Sequence, residues 1–166
     1  MDPLEGWHDF NVAMAGATAA LAGLVIVAAS VNIADIVKAV SLTARLAAGI
    51  SSLVLALSVS ALGLIPEFSW TVYGACVVVL AVIAGVFQSA AARRIYENTD
   101  PANRWKPAKA AIGFVSPVLY AAGGVALLLG EPVGLMLFAF GAVVAIMTAL
   151  LVSWVVLVDD LYAYAG

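Results

Sequence analysis

Side chains that could do acid–base or metal chemistry are scarce in this sequence. The single histidine, His8, stands next to Asp9, and the single cysteine, Cys76, lies in an apolar stretch. Neighbouring side chains on a helix diverge, so we expect His8 and Asp9 to be a polar pair at a membrane interface rather than a catalytic or metal site. No G-x-S-x-G, H-E-x-x-H or phosphate-binding glycine motif occurs. We therefore predict a protein that is not an enzyme and has no catalytic residues, metal or cofactor.

Polar but uncharged side chains offer a second kind of chemistry, and they follow a helical pattern near the start of the chain. Asn11, Thr18, Val25 and Asn32 recur every seven residues, with small residues between them, so they share one helical face. Gly16 and Gly23 form a second seam of small residues. Two interpretations stay open. Such groups can form hydrogen bonds between packed helices, and each bond stabilises the contact by about 0.5–1 kcal/mol. Alternatively, they can line a pore formed by several copies of the chain.

The later apolar segments add weaker candidates. Ser51 and Ser58 share a face of the second segment. In the last segment one face ends at Asp159, which is either a carboxylate at the inner mouth of a groove or an ordinary interfacial acid beside Asp160. That face comprises Gly134, Phe138, Gly141, Ala145, Thr148, Val152, Val155 and Asp159. Every Asp, Glu, Lys, Arg and His residue lies at the end of a segment or in a loop, which argues against proton-coupled or ion-coupled transport.

The elements that position these residues are predicted to be membrane spans. The 166 residues are 65% hydrophobic and 10% charged, whereas soluble domains are about one quarter charged. We predict an all-α, polytopic bundle that forms a single transmembrane domain over residues 1–166, with the other spans packed around the first. The five spans cover about 11–33, 44–65, 70–92, 109–129 and 133–158, and a basic loop covers 93–108.

The charges predict an orientation for these spans. All 7 Lys and Arg residues fall beside the first-to-second and third-to-fourth connections. The other side carries only acids, among them Glu67 and Glu131. Basic residues mark the cytoplasmic side, so the N-terminus is expected outside and the C-terminus inside. The acidic N-terminus lacks the basic start of a signal peptide, so no cleavage is expected. We predict a multi-pass protein of a bacterial inner membrane.

Residues at both ends of the chain carry a resemblance to a known group. These are Trp7…Phe10, the stretch Gly16-Ala17-x-Ala19-Ala20-Leu21-x-Gly23-Leu24…Ser30-x-Asn32, and Trp154-x-x-Leu157-Val158-Asp159. The pattern resembles small five-span bacterial membrane proteins, common in actinobacteria and sometimes labelled modulators of the FtsH protease. That resemblance implies regulation by partner binding. A weaker likeness links Ala20-Leu21-x-Gly23…Val27-Ala28 to the pore helix of calcium-release-activated channels, whose pore glutamate is replaced by Val31.

Two functions therefore stay open on the sequence. One is a small homo-oligomeric channel with the first span near its axis. The other is a non-catalytic regulatory or accessory subunit that acts by helix–helix contact with a partner complex. The expected partners are the lipid bilayer, further copies of the chain and another membrane protein complex, with no nucleic acid.

Overall fold

The computed structural model describes residues 5–31, 33–36, 40–97 and 106–163. A 3-10 turn at Glu5–Trp7 is followed by six α-helices, and no strand occurs in this part of the chain. The helices are α1 (His8–Val31), α2 (Ile33–Ile36), α3 (Val40–Leu62), α4 (Trp70–Glu97), α5 (Lys106–Leu128) and α6 (Val133–Ala163). All but α2 are long and apolar enough to cross a membrane, consistent with an all-helical, multi-pass integral membrane protein.

The helix that packs against the largest number of other helices is α3, not α1. Helices α3, α4, α5 and α6 pack in a ring, and α1 lies outside it against α3 and, less extensively, α6. Half of the apolar stretch of α3 is buried, against 22% for α1. The expectation that the other spans pack around the first is therefore wrong for the single chain. The reason is that α1 carries its small and polar residues on one face, whereas α3 buries residues towards several neighbours.

The ends of α4 and α3 are two of the helix boundaries that differ from the sequence-based spans. At the end of α4 the charged residues do not stop the helix. Helix α4 continues past 92 to Glu97, and Arg94 Nη1 lies 3.0 Å from Glu97 Oε2, an ion pair at helical spacing. Helix α3 ends three residues earlier than predicted, at Leu62. Its chain then tightens, since Leu64 N–H bonds to the Ala61 carbonyl and Ile65 N–H to the Leu62 carbonyl, just before Pro66.

The connection between α5 and α6 is a tight turn stabilised by a glycine. Gly130 has a φ of 82°, the left-handed conformation that glycine adopts at low cost. Its N–H bonds to the Leu127 carbonyl at 3.0 Å, and the N–H of Glu131 bonds to the Ala126 carbonyl at 2.9 Å. This pair of bonds is a Schellman motif, which satisfies carbonyls at the helix end. The turn sends α6 back directly against α5.

Glycines let the helices of the ring approach one another very closely. A Cβ added at Gly123 of α5 would lie 2.7 Å from the Gly134 carbonyl oxygen of α6. A Cβ added at Gly74 of α4 would lie 2.8 Å from the Gly124 carbonyl oxygen of α5. No real Cβ tolerates such distances, so only glycine fits at these contacts. The backbones therefore meet almost directly, as in tightly packed membrane bundles.

Candidate functional site

The polar stripe predicted on the first span (Asn11, Thr18, Val25 and Asn32) faces the interior of the bundle over its described part. Asn11, Thr18 and Val25 are buried, together with Ala22 and Ala29. Val25 belongs to an apolar cluster that includes Leu46 and Leu53 of α3. Thr18 is 0% exposed, and its Oγ1 donates to the Met14 carbonyl at 2.6 Å, within its own helix. The described part of the stripe is thus occupied by packing within one chain; Asn32 lies outside the described residues.

The opposite side of α1 is open. We call Gly16, Ala20, Gly23 and Val27 the outer face of α1; all four residues are exposed. A Cβ added at Gly16 or Gly23 would have no atom within 4 Å. These two glycines therefore allow a close approach that nothing inside the single chain uses. They differ in this from the glycines of the α4–α5 and α5–α6 contacts.

At the acidic end of the bundle the stripe meets a small polar pocket. Asn11 is 7% exposed, and its side chain packs directly over Gly63. A cavity of about 10 Å³ lies beside it, with Ser60, Tyr73 and Tyr120 in its wall. That volume holds about one water molecule. Tyr73 donates its hydroxyl to the Val59 carbonyl at 3.0 Å, while the Asn11 amide has no hydrogen bond to any residue the structure describes.

The α3 serine that bonds to a neighbouring helix is not one of the two predicted from the sequence. Ser51 and Ser58 are only half-buried, and Ser51 Oγ donates to the Ala48 carbonyl of its own helix. Gln88 of α4 instead donates its amide N–H groups to Ser52 Oγ at 2.9 Å and to the Ala48 carbonyl at 3.0 Å. The prediction placed the polar face of α3 at Ser51 and Ser58, and Ser52 lies on a different face. The signal that points to the site is Gln88, an amide in an otherwise apolar span.

Around Gln88 the four ring helices leave a cleft at the end of the bundle that carries Arg45, Arg93 and Arg94. We call it the basic-end cleft; its volume is about 110 Å³, and it is partly open to the surroundings. Its polar groups come from Arg45, Gln88 and Thr148. The rest of the wall is apolar and mostly small, comprising Ala48, Gly49, Ala91, Ala92, Ile95, Ala110, Ile112, Gly113, Leu151 and Val152. Small side chains on four helices are what create this space.

The α6 face predicted to lead to Asp159 is the face that packs into the ring. Gly134, Phe138, Ala145 and Thr148 along it are buried. Ser116 of α5 donates its hydroxyl to the Gly141 carbonyl on the same face at 3.0 Å. Thr148 places this face in the wall of the basic-end cleft. Residue 159 lies within α6, but its side chain is outside the described part of the chain.

The histidine and its acidic neighbour lie at the exposed start of α1. His8 Nδ1 lies 3.5 Å from Asp9 Oδ1, and both side chains are exposed at the start of α1. No group of three or more His, Cys, Asp and Glu side chains in the described part could hold a metal ion. Fold and site together define a bundle with five helices long and apolar enough to span a membrane, a buried amide network and a cleft at its basic end. Comparison with protein-family models, curated proteins and solved structures gives no match.

Proposed function

We propose that this chain is a non-catalytic integral membrane protein that acts by helix–helix contact, as a regulatory or accessory subunit, and that it first pairs with copies of itself. The observation that carries the proposal is the open outer face of α1 on the most peripheral helix of the bundle. In lipid, helices attract one another mainly by van der Waals packing, which small residues permit by letting backbones approach. Two α1 helices related by a two-fold axis would each offer Gly16, Ala20 and Gly23 to the other.

The burial of the polar stripe weighs against the channel that the sequence suggested. Asn11, Thr18 and Val25 lie about half a turn from the outer face. A pore between copies lined by these residues would require α1 to turn about its axis. That rotation would remove Val25 from its contacts with α3 and replace it with exposed glycine. A channel lined by the stripe would therefore require the loss of the packing between α1 and the rest of the bundle. Pairing through the outer face keeps that packing.

The orientation and membrane are part of the same proposal. Arg45, Arg93 and Arg94 lie at one end of the described bundle, and Glu67 and Glu131 lie in the connections at the other end. With the basic end in the cytoplasm, the N-terminus is outside and the protein resides in the inner membrane of a bacterium. The resemblance to small five-span bacterial proteins, including the label of protease modulator, is compatible with a subunit that acts through its membrane surface.

The test compares two glycines that are equally free inside the single chain. Neither Gly23 on α1 nor Gly85 on α4 has an atom within 4 Å of an added Cβ, so Gly23→Leu and Gly85→Leu should both fold. We expect wild type and Gly85→Leu to form the same oligomer in mild detergent and Gly23→Leu to dissociate, because the leucine separates the paired helices. Light scattering of the purified protein gives the copy number. An unchanged copy number in Gly23→Leu, or a monomeric wild type, would contradict the proposal.

A further inference from the structure

The basic-end cleft contains two polar atoms, on Gln88 and Thr148, that form no hydrogen bond with any described residue. Gln88 is 4% exposed, and its amide nitrogen donates hydrogen bonds to the Ala48 carbonyl and to Ser52 Oγ. Since the Ala48 carbonyl can only accept, the other end of the amide must be the oxygen, Oε1. That oxygen packs against Gly113 and receives no hydrogen bond from any described residue. Thr148 is 7% exposed, and within the same part of the chain its hydroxyl likewise has no partner. Buried polar atoms in this state normally bond to something else.

The charged and the uncharged polar groups of the cleft lie at different depths along the membrane normal. Gln88 is level with Ala48, to which it bonds, and Arg45 lies three residues closer to the start of α3. At 1.5 Å per residue this sets the guanidinium's attachment point about 4–5 Å nearer the membrane surface than the amide. A ligand would therefore meet a cation first and a hydrogen-bond acceptor one step deeper. The apolar residues of the wall lie level with these two groups or nearer the surface, because Gln88 Oε1 packs against Gly113 and the lining of α4 and α5 extends from there towards Ile95 and Ala110.

We propose that the basic-end cleft binds a single-chain phospholipid with a free glycerol hydroxyl, a lysophospholipid, from the surrounding leaflet. Its phosphate meets Arg45, which suits an oxyanion. The glycerol hydroxyl, a short distance deeper, donates to Gln88 Oε1 and lies within reach of the Thr148 hydroxyl. The acyl chain leaves the cleft beside Ile112 and Leu151, the exposed wall residues of α5 and α6, and lies in the surrounding leaflet. A cavity of about 110 Å³ accepts the polar part of one such molecule and little more.

The chemistry distinguishes this ligand from its neighbours in the bilayer. A diacyl phosphatidic acid carries the phosphate, but both inner hydroxyls are esterified and can only accept. It therefore offers nothing to Gln88 Oε1. A monoacylglycerol has hydroxyl donors and one chain, but it has no charge for Arg45. The inference concerns the ring helices alone, so its outcome is separate from that of the α1 pairing proposal.

The experiment is native mass spectrometry of the full chain in a neutral detergent, titrated with lysophosphatidic acid, phosphatidic acid or monoacylglycerol. We expect wild type to retain one lysophosphatidic acid per chain at a concentration about tenfold lower than either other lipid, because phosphatidic acid leaves Gln88 Oε1 without a donor and monoacylglycerol leaves Arg45 without an anion. Millimolar inorganic phosphate should not displace the bound lipid, because it lacks the chain. Equal retention of the three lipids, or displacement by phosphate, would overturn the proposal.

Variants separate the cleft from a merely basic surface. Arg45→Gln should weaken retention of lysophosphatidic acid about tenfold, whereas Arg93→Gln, at an exposed arginine of the same end outside the cleft wall, should not. Gly49→Leu keeps Arg45 and fills the cleft, so it should also lose the lipid. Gln88→Leu should remove the preference for lysophosphatidic acid over phosphatidic acid. Arg45→Lys checks for misfolding, because it keeps the charge and should restore most retention. Binding that survives Gly49→Leu, or falls equally in Arg93→Gln, would show that the lipid lies elsewhere.

Discussion

The glycines of α1 and those of the ring helices differ in how they are used, although both lie in apolar spans. Gly123 and Gly74 meet backbone carbonyls of the neighbouring helix so closely that no side chain fits. Gly16 and Gly23 face open space. Small residues at helical spacing occur in both places, but among the described residues only those of the ring make a close contact within the chain. On α1 we propose that the contact is made with something outside it.

The largest effect expected from this comparison is on stability. Gly123→Ala places a Cβ 2.7 Å from the Gly134 carbonyl oxygen, a backbone atom that can yield only if α5 and α6 separate. Forced overpacking of this kind costs about 1–3 kcal/mol. The matched control is Gly16→Ala, which meets no neighbour in the chain and gains helix propensity. Unfolding of both variants in mixed micelles measures the difference; equal stability would show that the α5–α6 contact is looser than described.

A smaller effect is expected at the amide network between α3 and α4. Gln88→Leu removes the bonds to Ser52 Oγ and to the Ala48 carbonyl. Hydrogen bonds between membrane helices contribute about 0.6 kcal/mol on average and at most about 1.7. We therefore expect a loss of about 0.5–1.5 kcal/mol for Gln88→Leu and less for Ser52→Ala. A double-mutant cycle in the same unfolding assay measures the interaction energy between Gln88 and Ser52. Strictly additive losses would mean that the bond makes no net contribution.

The sequence predicts the number and class of the spans because length and apolar composition determine them locally. It also locates the inward face of α6, from Gly134 to Thr148, since small residues at helical spacing indicate packing. It could not show that α3 is central, because that depends on how many neighbours each helix acquires. For the same reason Ser51 and Ser58 were chosen over Ser52. The glycine pairs and the basic-end cleft are joint properties of two and four helices, and no single span contains their signal.

The polar stripe of α1 shows both what helical periodicity predicts and what it leaves undetermined. Its periodicity indicates correctly that Asn11, Thr18 and Val25 share a face. Periodicity does not say whether that face meets water, a second copy or the protein's own helices. Only the tertiary packing distinguishes these, and in the described residues it places α3 there.

The central claim is that α1 uses its polar stripe within the chain and its outer face between chains. Disulfide trapping in membranes tests it directly, in a Cys76→Ala background, because a bridge forms only between cysteines whose Cα atoms are within about 7 Å. Ala20→Cys lies between the two outer glycines, and Thr18→Cys lies on the buried stripe. Mild oxidation should give covalent dimers with Ala20→Cys and none with Thr18→Cys. Dimers through Thr18→Cys, with Ala20→Cys remaining monomeric, would contradict the account and return α1 to the axis of an assembly.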